Sequence, residues 1–118
     1  MNKERYVEKA VEWAEKKAVS SLKSISDGYE NPKVFVSKPT QNEIQADLSF
    51  FTKGGVKHYS VVALKNENQK KTVAKWKVLS FLASMKKGDL HLFVPNGHKS
   101  YTLNLVNKFN INAVIHAL

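Results

Sequence analysis

The run Glu43-Ile44-Gln45-Ala46-Asp47-Leu48-Ser49-Phe50-Phe51-Thr52-Lys53-Gly54-Gly55-Val56-Lys57-His58-Tyr59-Ser60-Val61-Val62-Ala63-Leu64-Lys65 decides the fold. Over residues 43–52, Ile44, Ala46, Leu48 and Phe50 alternate with Glu43, Gln45, Asp47 and Ser49, a period of two that predicts a strand. Residues 56–65 read as the next strand, and Lys53-Gly54-Gly55 as the hairpin turn between them. A two-residue loop would pair Lys53 with Val56. A three-residue loop pairs Thr52 with Val56 and sets Leu48 opposite Ser60, Ala46 opposite Val62 and Ile44 opposite Leu64. Burial selects the second register, because it gathers the most apolar residues on one face and a one-residue slip reverses every side chain. The same register is expected to gather Asp47, Ala63 and Lys65 on the opposite face.

Working outward, residues 3–25 carry Tyr6, Ala10, Trp13, Ala14, Ala18, Leu22 and Ile25 at three- and four-residue spacing, which predicts an amphipathic helix. Asp27-Gly28 and Asn31-Pro32 then turn the chain. Residues 33–37 are short and β-rich. A second helix is expected over 69–87, with Val73, Trp76, Leu79 and Ala83 on its stripe and Val78, Leu82 and Met85 beside it. Lys86-Lys87-Gly88 supplies its C-terminus, with cations at the negative dipole end. Residues 89–94 form a strand closed by Pro95-Asn96-Gly97. Residues 98–110 read two ways: Tyr101, Leu103 and Leu105 alternate like a strand, whereas Ser100 would cap a helix turning Leu103, Val106 and Phe109 inward. Residues 112–118 read as a last buried strand. Helix, three strands, helix, strand, helix, strand describes an α/β sandwich, with one domain over residues 1–118.

The 118 residues suit one hydrophobic core, and 42% hydrophobic with 25% charged residues is ordinary globular composition. No apolar run approaches a membrane span. The N-terminus enters a charged helical pattern without an apolar signal region, and there is no cysteine, so a cytoplasmic location is expected. The net charge of +9 lies wholly in residues 31–118, where thirteen lysines face Glu43, Asp47, Glu67 and Asp89. Such a field favours polyanions such as nucleic acid or anionic lipid, although a lysine-rich solvated surface has the same charge. No arginine follows Arg5, so the forked contacts that read guanine edges are missing and backbone recognition is expected.

Asp47 is the only acid inside a well-patterned strand, where aspartate is disfavoured. With Lys65 at the end of the neighbouring strand it forms either a metal site for phosphodiester hydrolysis or a cross-strand ion pair of little energetic weight. Lys70, Lys71, Lys75 and Lys77, with Lys86 and Lys87, cluster on or beside the second helix as candidate phosphate contacts, although a solvated helix face has the same pattern. Lys57 and Tyr59 would extend that surface on the sheet. His58, His91, His98 and His116 have no metal-ligand spacing, and the three in strands read as structural histidines. Trp13 and Trp76 lie on apolar stripes and read as core anchors.

Asp47 in one strand and Lys65 at the end of the next, in this order of elements, resemble the PD-(D/E)XK restriction-endonuclease-like superfamily. The resemblance implies an α/β/α sandwich with a mixed central sheet in the order αβββαβαβ, and it tips residues 98–110 towards helix. It also implies that Asp47 and an acid two residues before Lys65 would hold Mg²⁺ or Mn²⁺. Ala63 stands at that second position, so a metal ligand is missing unless Glu67, Glu43, Glu8 or Glu12 replaces it.

Three readings follow: a nuclease-like nucleic-acid-binding domain without catalysis, an active metal-dependent nuclease with a relocated acid, and a protein-interaction or structural module. A homo-oligomer would suit a duplex ligand, although nothing in the pattern demands one. Asp47, read as half-exposed, is expected to tolerate alanine.

Overall fold

In the computed structural model, residues 3–17, 19–39, 41–65 and 67–118 are described. Helix α1 covers Lys3–Glu15, followed by strands β1 (Ser20–Ser24), β2 (Val34–Val36), β3 (Glu43–Gln45), β4 (Leu48–Thr52) and β5 (Val56–Val62). Helix α2 (Gln69–Met85), β6 (Leu90–Val94), α3 (Lys99–Lys108) and β7 (Val114–Ala117) complete the order. A five-stranded sheet runs β1-β4-β5-β6-β7, and β2 and β3 make a separate two-stranded ribbon. The β1, β4 and β5 neighbours are antiparallel, whereas β5, β6 and β7 are parallel, so the sheet is mixed.

The β4–β5 register pairs Leu48 with Ser60 and Thr52 with Val56 across Lys53-Gly54-Gly55, the expected three-residue loop, but the ladder starts at Leu48 and the expected pairs Ala46–Val62 and Ile44–Leu64 are not part of it. The alternation does not continue through residues 43–52 as one strand. The chain kinks between β3 and β4, and this changes faces. Ile44 and Ala46 pack with Tyr59, Val61 and Ala63 beneath α2 and α3. Leu48 and Phe50 pack with Val62, Leu64 and Phe93 beneath α1. Helices therefore cover both faces of the sheet, which gives each face its own apolar cluster.

The first helix is shorter than the periodicity predicts. Residues 20–24 form an edge strand on β4, and Leu22 and Ile25 lie beyond α1. Ala18, placed on the same helical stripe, lies outside the described residues. Val19, Ser20 and Ser21 are weak helix formers, and Ser21 adopts φ 50°, so the helical phase is lost before Leu22. The third strand of the sheet's antiparallel half is thus β1, whereas the 33–37 segment pairs only with β3.

Helix α2 matches its expected span to within two residues, and Trp76 is fully buried. Met85, expected beside the stripe, is exposed at the last turn. The helix closes with Gly88 N–H bonded to Ala83 O and Lys87 N–H to Ser84 O, the paired bonds of a Schellman ending. Helix α3 forms where the sequence reads two ways. Its N-cap is His98 rather than Ser100, and the phase turns Thr102 and Leu105 inward while Leu103 faces solvent. Strand β7 is a half-exposed edge rather than a buried strand, because it has β6 on one side only.

Candidate functional site

Asp47 lies between β3 and β4, where the ladder to β5 is interrupted. Its backbone N–H donates to Ser60 O, and its Oδ2 accepts the Val62 amide at 2.8 Å. The carboxylate supplies an acceptor that the kinked strand does not offer. Asp47 is consequently 2% exposed, contrary to the half-exposed position expected for it. A buried carboxylate needs a counter-charge as well as hydrogen bonds. Lys3, at the start of α1, supplies it, with Nζ 3.2 Å from Asp47 Oδ1. The same ammonium lies 3.7 Å from Glu67 Oε2, on the segment leading into α2.

Lys65 is not Asp47's ion-pair partner among the described residues. Its side chain is exposed beyond β5, and its backbone N–H donates to His98 Nδ1 at 2.9 Å. Ala63 is fully buried in the cluster under α2, so it does not share an open face with Lys65. Glu8 and Glu12 lie on the exposed side of α1. Glu43 is exposed on β3, at the groove between the ribbon and α2.

A hard divalent ion such as Mg²⁺ requires several free oxygen ligands in octahedral array. Here Asp47 commits one oxygen to the Val62 amide and the other to Lys3, Glu67 faces the same ammonium, and Ala63 offers no ligand. This donor set does not fit a divalent ion while Lys3 is in place. Lys3 escaped the sequence reading because 44 residues separate it from Asp47 in the numbering and only the docking of α1 brings it there.

Beside these residues, the β2–β3 ribbon and the first turns of α2 enclose a groove of ≈ 720 Å³. Lys70, Lys71 and Lys75 line it, together with Ser37, Asn42, Glu43 and Glu67. Lys75 is half-buried, and burial pushes its ammonium below the ordinary lysine range. The Asp47 and Glu67 carboxylates oppose that shift, whereas the Lys3 charge adds to it. Asn68 caps the helix by accepting the Lys71 amide, so Lys70 and Lys71 occupy a first turn that itself contains no acid.

The other expected phosphate contacts lie elsewhere. Lys77 faces the Phe109 ring at 5.3 Å. Lys57 is near the hairpin end of β5, five residues from Val62 and so about 16 Å along the strand. Its ammonium is lowered by burial and by the charges of Lys23, Lys33 and Lys86. Tyr59 is buried under the β2–β3 ribbon, with its ring against Phe35, and is closed to base stacking. Burial accordingly raises its hydroxyl pKa. The expected interface thus contracts to Lys70, Lys71 and Lys75.

Comparison with models of known families, with curated proteins and with solved structures returns no match. No helix among the described residues is long and apolar enough to cross a membrane.

Proposed function

We propose that the chain is a nuclease-like domain that holds nucleic-acid backbone in the α2 groove and has lost metal-dependent cleavage. One observation carries the reading: an ammonium of the chain itself, Lys3 Nζ, lies between Asp47 and Glu67 at the edge of a groove lined by Lys70, Lys71 and Lys75. A resident cation pairs with Asp47, which the nuclease resemblance assigns to the metal, and with Glu67, one of the acids that could replace the ligand missing at Ala63, and it offsets one of their two negative charges. It also lowers the repulsion they would exert on a phosphate.

The first turn of α2 supports binding independently. Positive charges at a helix N-terminus oppose the macrodipole and cost stability. Placing Lys70 and Lys71 there serves the fold poorly and serves an incoming anion well, because the amide dipoles and both ammonium groups then act on the same phosphate. The absence of arginine after position 5 fits backbone contact without base readout.

The test is fluorescence anisotropy of a labelled DNA or RNA duplex against rising salt, with plasmid cleavage in Mg²⁺ or Mn²⁺ run in parallel. Binding whose logarithm falls linearly with the logarithm of salt, without cleavage, is expected. Failure to bind even at low salt overturns the nucleic-acid reading. Cleavage abolished by EDTA and by Asp47→Asn would replace the degenerate site with an active one.

A further inference from the structure

A second polar constellation lies at the opposite end of β5, on the sheet face covered by α1. His58, His91 and His116 come from the neighbouring strands β5, β6 and β7. His91 Nε2 is 3.0 Å from His58 Nδ1, and His91 Nδ1 is 2.8 Å from His116 Nε2. Just before β6, Asp89 brings a carboxylate oxygen to within 4.8 Å of the facing His58 and His91 nitrogens. Three of the chain's four histidines thus meet in one row, flanked by Trp13, Phe50 and Phe93.

We infer that His58 Nδ1, His91 Nε2 and the Asp89 carboxylate form a binding site for a divalent transition-metal ion, with zinc its best-suited occupant. Imidazole nitrogen with one carboxylate is a donor set that suits zinc, cobalt and nickel better than magnesium or calcium. Two nitrogens bound tetrahedrally at zinc distances stand about 3.3 Å apart, so the observed 3.0 Å needs to open by only a few tenths of an ångström. The Asp89 backbone N–H donates to His58 Nδ1 at 3.2 Å, which makes this the unprotonated nitrogen of the ring, and the ion takes its lone pair in place of that hydrogen bond.

The outer contacts match a metal site as well. A ligating imidazole is held by a hydrogen bond at its remote nitrogen. His58 Nε2 has Thr52 Oγ1 at 3.1 Å, and His91 Nδ1 has His116 Nε2 at 2.8 Å. With the ion bound, His91 gives up its Nε2 proton and takes one at Nδ1 from His116 Nε2, while His116 is protonated from solvent at its other nitrogen, so the hydrogen bond between them reverses, the three rings stay neutral and no net proton is released. Asp89 is at the surface and His91 is buried, which opens the fourth coordination position outward to water or an exogenous ligand. None of these groups contributes to the groove at α2, so metal binding here is independent of nucleic-acid binding there.

The experiment is titration of the full chain, stripped with EDTA and dialysed, with Co²⁺ as a spectroscopic probe, followed by displacement with Zn²⁺. One ion per chain with the intense visible bands of tetrahedral cobalt is expected, bleached by zinc. Asp89→Asn, a surface change that keeps the backbone contacts, should weaken cobalt binding roughly tenfold or more. Glu67→Gln, at the other acidic cluster, should leave it unchanged. Absence of cobalt bands from a folded wild-type chain at micromolar ion overturns the proposal. So does binding that survives Asp89→Asn and is abolished by Glu67→Gln.

Discussion

Asp47 Oδ2 accepts the Val62 amide at 2.8 Å, so a side chain completes the hydrogen bonding of a central strand at the point where its neighbour kinks away. The carboxylate that draws attention as a catalytic candidate is therefore also part of the sheet.

Replacing it tests that role. Asp47→Ala leaves the buried Val62 N–H without an acceptor and should cost about 1–3 kcal/mol of unfolding free energy. Asp47→Asn keeps an acceptor oxygen and should cost clearly less. Removing the pairing with partly exposed Lys3 adds little to either value. Urea denaturation of the two variants gives the comparison, and equal stability of Asp47→Ala and wild type would deny Asp47 its structural role.

Two adjacent positions at the end of α2 should respond to substitution with opposite signs. A Cβ on Gly88 would lie 1.7 Å from Lys57 O, where β5 backbone cannot yield cheaply. Gly88→Ala should therefore destabilise by at least about 1–3 kcal/mol, the cost typical of overpacking. Lys87 instead bears a left-handed backbone at φ 63°. Lys87→Gly should relieve roughly 1 kcal/mol of that strain. Thermal melts of both variants, with the midpoint falling for one and rising for the other, check the pair.

How much of this was legible in the sequence depends on chain distance. The β4–β5 register could be read because its loop is three residues long and one wrong step would carry Leu48 and Phe50 away from Val62 to the opposite face of the sheet. The end of α1 could not: no glycine or proline marks Glu15-Lys16-Lys17, and Leu22 and Ile25 continue the helical phase by coincidence. Lys3 beside Asp47 and the row of three histidines were equally hidden. Their spacings of 44, 33 and 25 residues form no motif, and only helix docking and parallel strand pairing bring the groups together. The histidines were individually well placed in strands, but a one-dimensional pattern carries no information on which strands are neighbours.

The same histidine row gives the metal-free chain a pH dependence. Burial holds His91 down to about 4, with His116 and His58 adding to the shift. Burial also lowers His58, against the pull of Asp89, and lowers His116 together with the Lys17 charge. In the unfolded chain these rings take protons near their ordinary value of about 6.5, so below that pH the unfolded state binds more protons than the folded one. Stability should be flat above neutrality and fall as pH drops from about 6.5 towards 4, with a loss on the order of 3 kcal/mol from His91. Urea midpoints measured in EDTA across that range check the sign, and a midpoint that stays constant would contradict neutral buried rings.

The lysines of the first α2 turn allow folding and the proposed nucleic-acid binding to be tested separately, because the two demand opposite charges. Lys70→Glu with Lys71→Glu places acids at the positive end of the helix dipole. This should stabilise the chain by about 0.3–1 kcal/mol per residue at low ionic strength. The same exchange puts two negative charges in the groove and should abolish duplex binding. Lys70→Gln with Lys71→Gln should instead flatten the salt dependence, by up to about 0.9 for each phosphate that is no longer neutralised. Lys99 and Lys108 on α3 do not line that groove, and their conversion to glutamine should leave a smaller mark on the slope. A charge-reversed chain that melts higher and no longer binds would establish that α2 gives up stability for its ligand. One that melts higher and binds as before would remove the groove from the interface.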